Sequence, residues 1–471
     1  MNAIHQRVVL LVCAMLCIDG AALAQAPTSA TTDAERAAWT VPDDNRIHAV
    51  LAERMQFDGV GVVVGVLDPN GRRIVVNGRS GTKRALDGDT IFQIGSVTKT
   101  FTGLLLADMA IRGEVAIDDP AAKYLPPGVT MPLRGRPITL MDLATHQSGL
   151  PSMPTNFFLG GMPNPYQAYT PVDLHSFLSS YALTREPGAQ EEYSNLGVAL
   201  LGRLLSQRAG TDYEKLLQDR VLRPLGMSST AVTLNAEQLS RLAPGHDRYL
   251  ELVAPWNLDT LPGSGGLRSS ANDLLNYLEA FLGYRETALK SAMEYGLSTR
   301  QPPGSTNAVT WGVSRSGTRE VFGHDGGKEG YRAAIVFNPR TRTGIVVLAN
   351  SRTDDRPMAL AWHLLYGRPL PRTTRAPTKP TVPAPATESL DLLAGRYELA
   401  PGKILIVARR DKHLLVDTTG AGVESFYYAG TDEFASNEND ARLLFTRAEA
   451  GRGSEVMLVQ GGQKSGAKRV Q

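Results

Sequence analysis

Apolar and polar positions alternate with two different periods along this chain, and the changes of period divide it. Residues 45–56 repeat at helical spacing. Residues 59–67 and 73–79 are β-rich runs joined by Asp68-Pro69-Asn70-Gly71, a strong hairpin signal. From Ser96 onward Phe101, Leu104, Leu105, Ala107, Met109 and Ile111 supply the apolar face of a helix that Gly113 ends. Helical patterns then dominate to about residue 282, at 138–145, 171–181, 195–209, 212–222 and 270–282, broken by long Pro/Gly loops. Leu196, Leu200, Leu201, Leu204 and Leu205 mark the buried side of 195–209. The Gly/Ser-rich stretch 261–270 reads as a tight loop. Strand patterns return at 309–315, 319–323, 331–338 and 344–350 as an antiparallel meander, and 357–366 is a closing helix. This order predicts a mixed α/β (α+β) domain with a helical insertion, its antiparallel sheet flanked by helices and assembled from both ends of the segment.

Residues 373–387, TTRAPTKPTVPAPAT, form a proline-rich linker of extended, semi-rigid character. Beyond it, 388–471 carries short β-rich runs at 403–409, 414–417, 442–447 and 456–460. These predict a separately folding, small β-barrel-like domain.

The first 24 residues read as a secretory signal, followed by a polar leader at 25–42. Arg7 gives a positive n-region, 8–18 is apolar, and Ala22-Leu23-Ala24 is a small-x-small cleavage site. An apolar run that Asp19 stops falls short of the ~20 residues a membrane span needs, so export to the periplasm or medium without a stable anchor is expected. Both cysteines, Cys13 and Cys17, lie inside that signal. A processed protein would have no thiol nucleophile, thiolate metal site or disulfide.

Charge and motif content exclude several classes. Lys plus Arg number 49 against 47 Asp plus Glu, with no basic stripe interleaved with aromatics, so no nucleic-acid partner is expected. The eight histidines form no His-x-His or His-Glu-x-x-His pair, and neither metal nor cofactor is expected. No Gly-x-Ser-x-Gly elbow occurs, which argues against an α/β-hydrolase.

Three local patterns carry chemistry. Ser96 and Lys99 stand three apart at a helix entrance, so both side chains fall on one face. A neutral lysine there can take the proton of a serine nucleophile, and the helix N-terminus favours the alkoxide. A helix-capping serine explains Ser96 equally well. Ser-x-x-Lys also occurs at Ser80–Lys83, read as a solvated loop, and at Ser465–Lys468, read as a surface tail. Tyr193-Ser194-Asn195 immediately precedes the apolar helix 196–209. His324-Asp325-Gly326-Gly327 joins two meander strands, where glycines admit close backbone approach. Singly, each has a bland alternative: rim aromatic, helix cap, strand-end histidine.

Together and in this order the motifs Ser96-Val97-Thr98-Lys99, Tyr193-Ser194-Asn195 and His324-Asp325-Gly326 resemble the serine β-lactamase/penicillin-binding superfamily. The likeness is to the branch with class C β-lactamases, D,D-carboxypeptidases, D-aminopeptidases and β-lactamase-like esterases. The stretch from Leu143 through His146 to Pro151 is similar to that branch as well, and 388–471 resembles its appended lipocalin-like domain. The resemblance implies a β-lactamase-like domain over 43–372. It makes Ser96 an acylated nucleophile, Lys99 and Tyr193 a proton relay, and Asn195 a support for Lys99 and a substrate amide. His324, Asp325, Gly326 and Gly327 would bind substrate, with the Ser96 and Gly327 N–H groups as oxyanion hole.

Two departures bear on substrate. Asp325 stands where a threonine is common and would repel a carboxylate unless Lys328, Arg332, Arg352 or Arg356 compensates. Ser152-Met153 stands where class C lactamases carry a glutamine. Both count against efficient penicillin hydrolysis and leave esters, amides or D-amino-acid peptides, including cell-wall peptide, as the expected small-molecule or peptide acyl substrates. A non-catalytic penicillin-binding-like sensor is the alternative. Lys464-Ser465-Gly466 is a rival third motif, set aside because it lies beyond the linker with no strand after it.

Overall fold

The computed structural model describes residues 39–470 apart from 55–59, 158–163, 165, 248, 317–318, 329, 353–356, 372–381, 401–402, 419–421, 437–439 and 449–450. The signal at 1–24, both cysteines, Arg356 and most of the linker lie outside the described residues.

A six-stranded antiparallel sheet organises the first part. Its strands are β1 (Gly61–Asp68), β2 (Gly71–Gly78), β5 (Gly312–Ser316), β6 (Arg319–Lys328), β7 (Tyr331–Asn338) and β8 (Thr343–Ala349), in the order β2-β1-β8-β7-β6-β5. β1 pairs with β8, Val62 opposite Ala349 through Leu67 opposite Gly344, so the two ends of the segment do meet in one sheet. Every residue of β1 is buried. Its alternation sends Val62, Val64 and Val66 to one face, against α1 (Asp44–Arg54) and α8 (Pro357–Tyr366). Val63 and Leu67 face the larger core, which includes α2 (Thr98–Ile111) and α6 (Ala271–Phe281).

The helical insertion holds α3 (Leu140–Ala144), α4 (Pro171–Ser180) and α5 (Asn195–Ala209). Their starts are fixed by side chains. Thr139 and Asp142 form a reciprocal capping box on α3, the Ser194 hydroxyl accepts from Gly197 N–H at 2.9 Å, and Gly210 in the left-handed region closes α5. Among the elements that escaped the sequence pattern are β3 (Ile91–Gln93), its partner β4 (Arg268–Ser270) inside the stretch read as a loop, and α7 (Lys290–Ser298), which packs on α2.

The C-terminal segment is a closed eight-stranded barrel running in sequence order: β9 (Gly395–Ala400), β10 (Lys403–Arg410), β11 (His413–Thr418), β12 (Gly422–Gly430), β13 (Glu433–Ser436), β14 (Arg442–Arg447), β15 (Gly453–Gln460) and β16 (Gln463–Arg469). Closure removes the edges that would otherwise invite pairing with other chains. Lys464-Ser465-Gly466 therefore belongs to the closing strand, not to a tail; its Lys/Gly-rich composition hides a strand that pairs register for register with β15. Leu414 and Val416 fill the barrel, while Leu415, Ile406, Ala408 and Val423 on its outside join the core of the first part. Arg396 donates to the Thr155 carbonyl at 3.1 Å, Tyr427 to Asp247 at 3.3 Å, and Tyr249 to the Ser436 carbonyl at 3.1 Å.

Candidate active site

Ser96 sits in a single 3₁₀ turn, Gly95–Val97, that feeds α2. It is the one residue between Ile91 and Thr100 that is not fully buried. Its hydroxyl makes no capping bond to the helix and instead accepts from Lys99 Nζ at 3.0 Å. The capping alternative is thereby removed.

Lys99 is buried outright and held by two further acceptors, Asn195 Oδ1 and the Ser264 carbonyl, each at 2.7 Å. Burial pushes its pKa well below the ordinary lysine value, the Lys328 charge pushes it further down, and Asp325 pulls it back up. Burial and Lys328 both push toward the neutral amine, which would keep its two N–H groups for Asn195 Oδ1 and the Ser264 carbonyl and turn its lone pair to the Ser96 hydroxyl. Ser264 lies in the 261–270 loop, whose 3₁₀ turn Pro262–Ser264 aims the carbonyl at Lys99. Nothing in the local sequence signalled that role.

Asn195 opens α5, and its Nδ2 donates to Ser152 Oγ at 3.2 Å. Tyr193 lies just outside the helix cap, its ring centroid 4.8 Å from Lys99 Nζ and 4.5 Å from the His146 ring. Ser96, Lys99, Tyr193 and Asn195 are thus brought together as expected.

The third motif is differently built from the expected loop. His324, Asp325, Gly326 and Gly327 lie inside β6, which continues to Lys328 and pairs with β7 throughout, Gly326 opposite Ala333 and Gly327 opposite Arg332. Two glycines hide strand character in sequence, while backbone pairing does not need side chains. β5 stops opposite Gly323, so the far edge of the His324–Lys328 stretch is turned to the Ser96 turn. Any Cβ on Gly326 would collide with the Ile94 carbonyl oxygen, and one on Gly95 would press on the Gly327 backbone at 2.7–3.0 Å. Close packing of these two backbones places the Ser96 and Gly327 segments side by side. His324 bonds through Nδ1 to the Asp325 carbonyl at 2.7 Å, and burial followed by the Lys99 charge lowers its pKa to about 4.

Cations gather at the Gly327 end of the motif. Lys328 is buried, its Nζ 4.6 Å from the Tyr166 ring centroid and 5.6 Å from that of Trp256. The guanidinium groups of Arg332 and Arg352 both border the Cβ position of Gly327. Among the described residues, no cluster of three or more His, Cys, Asp or Glu side chains is placed to hold a metal ion.

The family model for Beta-lactamase matches residues 47–367. The chain belongs to that family. It is similar to the D-alanyl-D-alanine-carboxypeptidase/endopeptidase AmpH of Escherichia coli K12, 29% identical over 310 residues that span 61% of this chain and 78% of that protein. Among solved structures it is similar to a class C β-lactamase from Rhodobacter sphaeroides, with a TM-score of 0.58 and 25% identity over 68% of this chain and 97% of that one. A β-lactamase/D-alanine carboxypeptidase from Yersinia pestis complexed with citrate gives a TM-score of 0.56 at 26% identity, covering 66% and 94%. The site described above falls wholly inside the matched family segment.

The two other Ser-x-x-Lys sequences lie elsewhere. Ser80 is buried, not solvated, and donates to the Arg84 carbonyl at 2.6 Å, which folds the 80–84 loop on itself. Ser465 is on the barrel strand β16.

Proposed function

We propose that this family member is an exported serine hydrolase that works through a Ser96 acyl-enzyme on esters, amides or D-amino-acid peptides. The observation that carries the reading is the buried Lys99 amine, 3.0 Å from Ser96 Oγ and held in the field of Lys328. Ser96 Oγ attacks the acyl carbonyl while its proton passes to Lys99 and on through Tyr193 to the leaving group. Water reverses the relay to release the acid. Ser96 and Gly327 N–H groups stabilise the tetrahedral oxyanion, each worth roughly 3–4 kcal/mol. Asn195, tied to Ser152 on one side and Lys99 on the other, keeps the amine aimed.

The edge of His324–Lys328 that lies beyond the end of β5, beside the Ser96 turn, suits an extended acyl chain lying along the sheet. Asp325 alone would repel a substrate carboxylate, and Lys328, with Arg332 and Arg352 beside Gly327, would offset that repulsion. Carboxylate-bearing D-peptides therefore stand level with neutral esters as substrates. The test is intact-protein mass after mixing with a penicillin, a D-alanyl-D-alanine peptide and a p-nitrophenyl ester in turn. A Ser96-dependent acyl adduct, or product formation lost in Ser96→Ala, is expected. Adduct or turnover that persists in Ser96→Ala refutes Ser96 as the nucleophile; none in wild type with any of the three refutes the hydrolase and leaves the non-catalytic sensor.

A further inference from the structure

Among the described residues of this site, His146 is the one non-glycine in the left-handed region, at φ 60°. It stands just past α3, whose capping box and the ion pair from Arg136 to the buried Asp142 fix its base. Three contacts run from it to the segment around Tyr193. Its carbonyl accepts from Glu192 N–H at 2.9 Å, its Nδ1 accepts from Ser194 N–H at 3.1 Å, and its ring packs on the Tyr193 ring with centroids 4.5 Å apart. Both peptide neighbours of Tyr193 and the phenol ring itself are therefore held by one side chain and its own backbone. Because Ser194 N–H can only donate, Nδ1 must be unprotonated and the ring proton sits on Nε2. Burial and the charges of Lys99 and His324 keep the ring neutral, with a pKa of about 3.

We propose that His146 is the positioning residue for Tyr193, locking the phenol against Lys99 so that the proton relay is assembled before substrate arrives. A left-handed backbone is a form normally left to glycine, with asparagine, aspartate and histidine the commonest other occupants. The φ of 60° is what turns carbonyl and ring toward the same strip of chain. This inference rests on the reading of Tyr193 as the relay, and the test separates the two.

The experiment is a double-mutant cycle in the full chain, reading kcat and KM on a p-nitrophenyl ester with thermal midpoints alongside. Tyr193→Phe is compared with His146→Gly and His146→Asn, alone and combined. Glycine adopts the backbone without strain and removes the ring; asparagine tolerates the same backbone and offers Oδ1 where Nδ1 was. Tyr193→Phe is expected to cut kcat by about 10²–10⁴-fold. His146→Gly alone should cut kcat by about 10–10²-fold with KM nearly unchanged, and His146→Asn by less. In the Tyr193→Phe background either His146 change should cost under about 2-fold, since the hydroxyl it positions is gone. Equal losses with and without the tyrosine hydroxyl overturn the positioning role while leaving the relay intact. A Tyr193→Phe enzyme at full rate overturns the relay, and the role of His146 with it.

Discussion

Asn195 Oδ1 accepts a hydrogen bond from Lys99 Nζ at 2.7 Å, joining the start of α5 to the first turn of α2 across 96 positions of sequence. A neutral amide acceptor fixes the amine in place without adding a charge that would keep it protonated. Exchanging it for a carboxylate should reverse that balance. Asn195→Asp is expected to raise the Lys99 pKa, because an opposite charge in contact favours the ammonium. The acid limb of kcat/KM should move to higher pH by about 1–2 units, with roughly 10-fold less activity per unit on that limb. A pH–rate profile checks this. In wild type the same profile should show no histidine limb between pH 5 and 8, since His146 and His324 stay neutral down to about 3 and about 4.

Lys328 and Asp325 act on Lys99 with opposite signs, so their removal should separate cleanly. Lys328→Met deletes the charge that depresses Lys99 and should carry the acid limb up. Asp325→Asn deletes the one that supports the ammonium and should carry it down. Shifts of about one unit or less are expected, larger at low ionic strength. Shifts in the same direction for both variants would refute the assignment.

Neighbouring glycines in β6 should respond unequally to alanine. At Gly326 the new methyl meets the Ile94 carbonyl, backbone that cannot yield, and the Ser96 turn must be displaced. At Gly327 it meets the end of the Arg332 side chain, which can swing away. Gly326→Ala is therefore expected to abolish Ser96 acylation or folding. Gly327→Ala should fold with a thermal midpoint within a few degrees of wild type.

Where chemistry was local, the sequence announced it. The turn Asp68–Gly71, the Ser96-x-x-Lys99 helix entrance and the Tyr193–Asn195 cap each declared themselves through spacing or turn residues. The sheet joined from both ends followed from the order of elements. What stayed hidden depends on contacts between distant segments. The Ser264 carbonyl reaches Lys99 only because the 261–270 loop is folded under α2, and a backbone acceptor leaves no residue-type signature. Strand character in His324–Lys328 is masked by two glycines, of which Gly326 is needed for clearance against the Ile94 carbonyl. The helix Lys290–Ser298 is short and contains Gly296, a poor helix former, so local propensity is weak and packing on α2 supports its fold. His146 could be found only through its φ and partners, which one histidine in a string of letters does not reveal.

The barrel carries the last testable consequence. On β11, Leu414 and Val416 point inward, so Asp417 points out with Leu415, toward the core that the barrel shares with the first part. Its side chain is fully buried and neither carboxylate oxygen has a hydrogen-bond partner among the described residues. Burial raises its pKa from 3.8 to about 7, with the Arg396 charge opposing in part. A carboxyl with a raised folded-state pKa holds its proton more tightly folded than unfolded, so stability falls as pH rises from about 4 to about 7 and is level above. A rise of that size corresponds to roughly 4 kcal/mol at neutral pH. Asp417→Asn removes the ionisation while keeping the shape. It should match wild type near pH 4 and unfold at a higher temperature from pH 7 upward, with the flatter pH dependence of the two proteins. Differential scanning calorimetry across that range decides it; a variant less stable than wild type at pH 8 would mean that the ionised carboxylate has a stabilising partner in the folded chain.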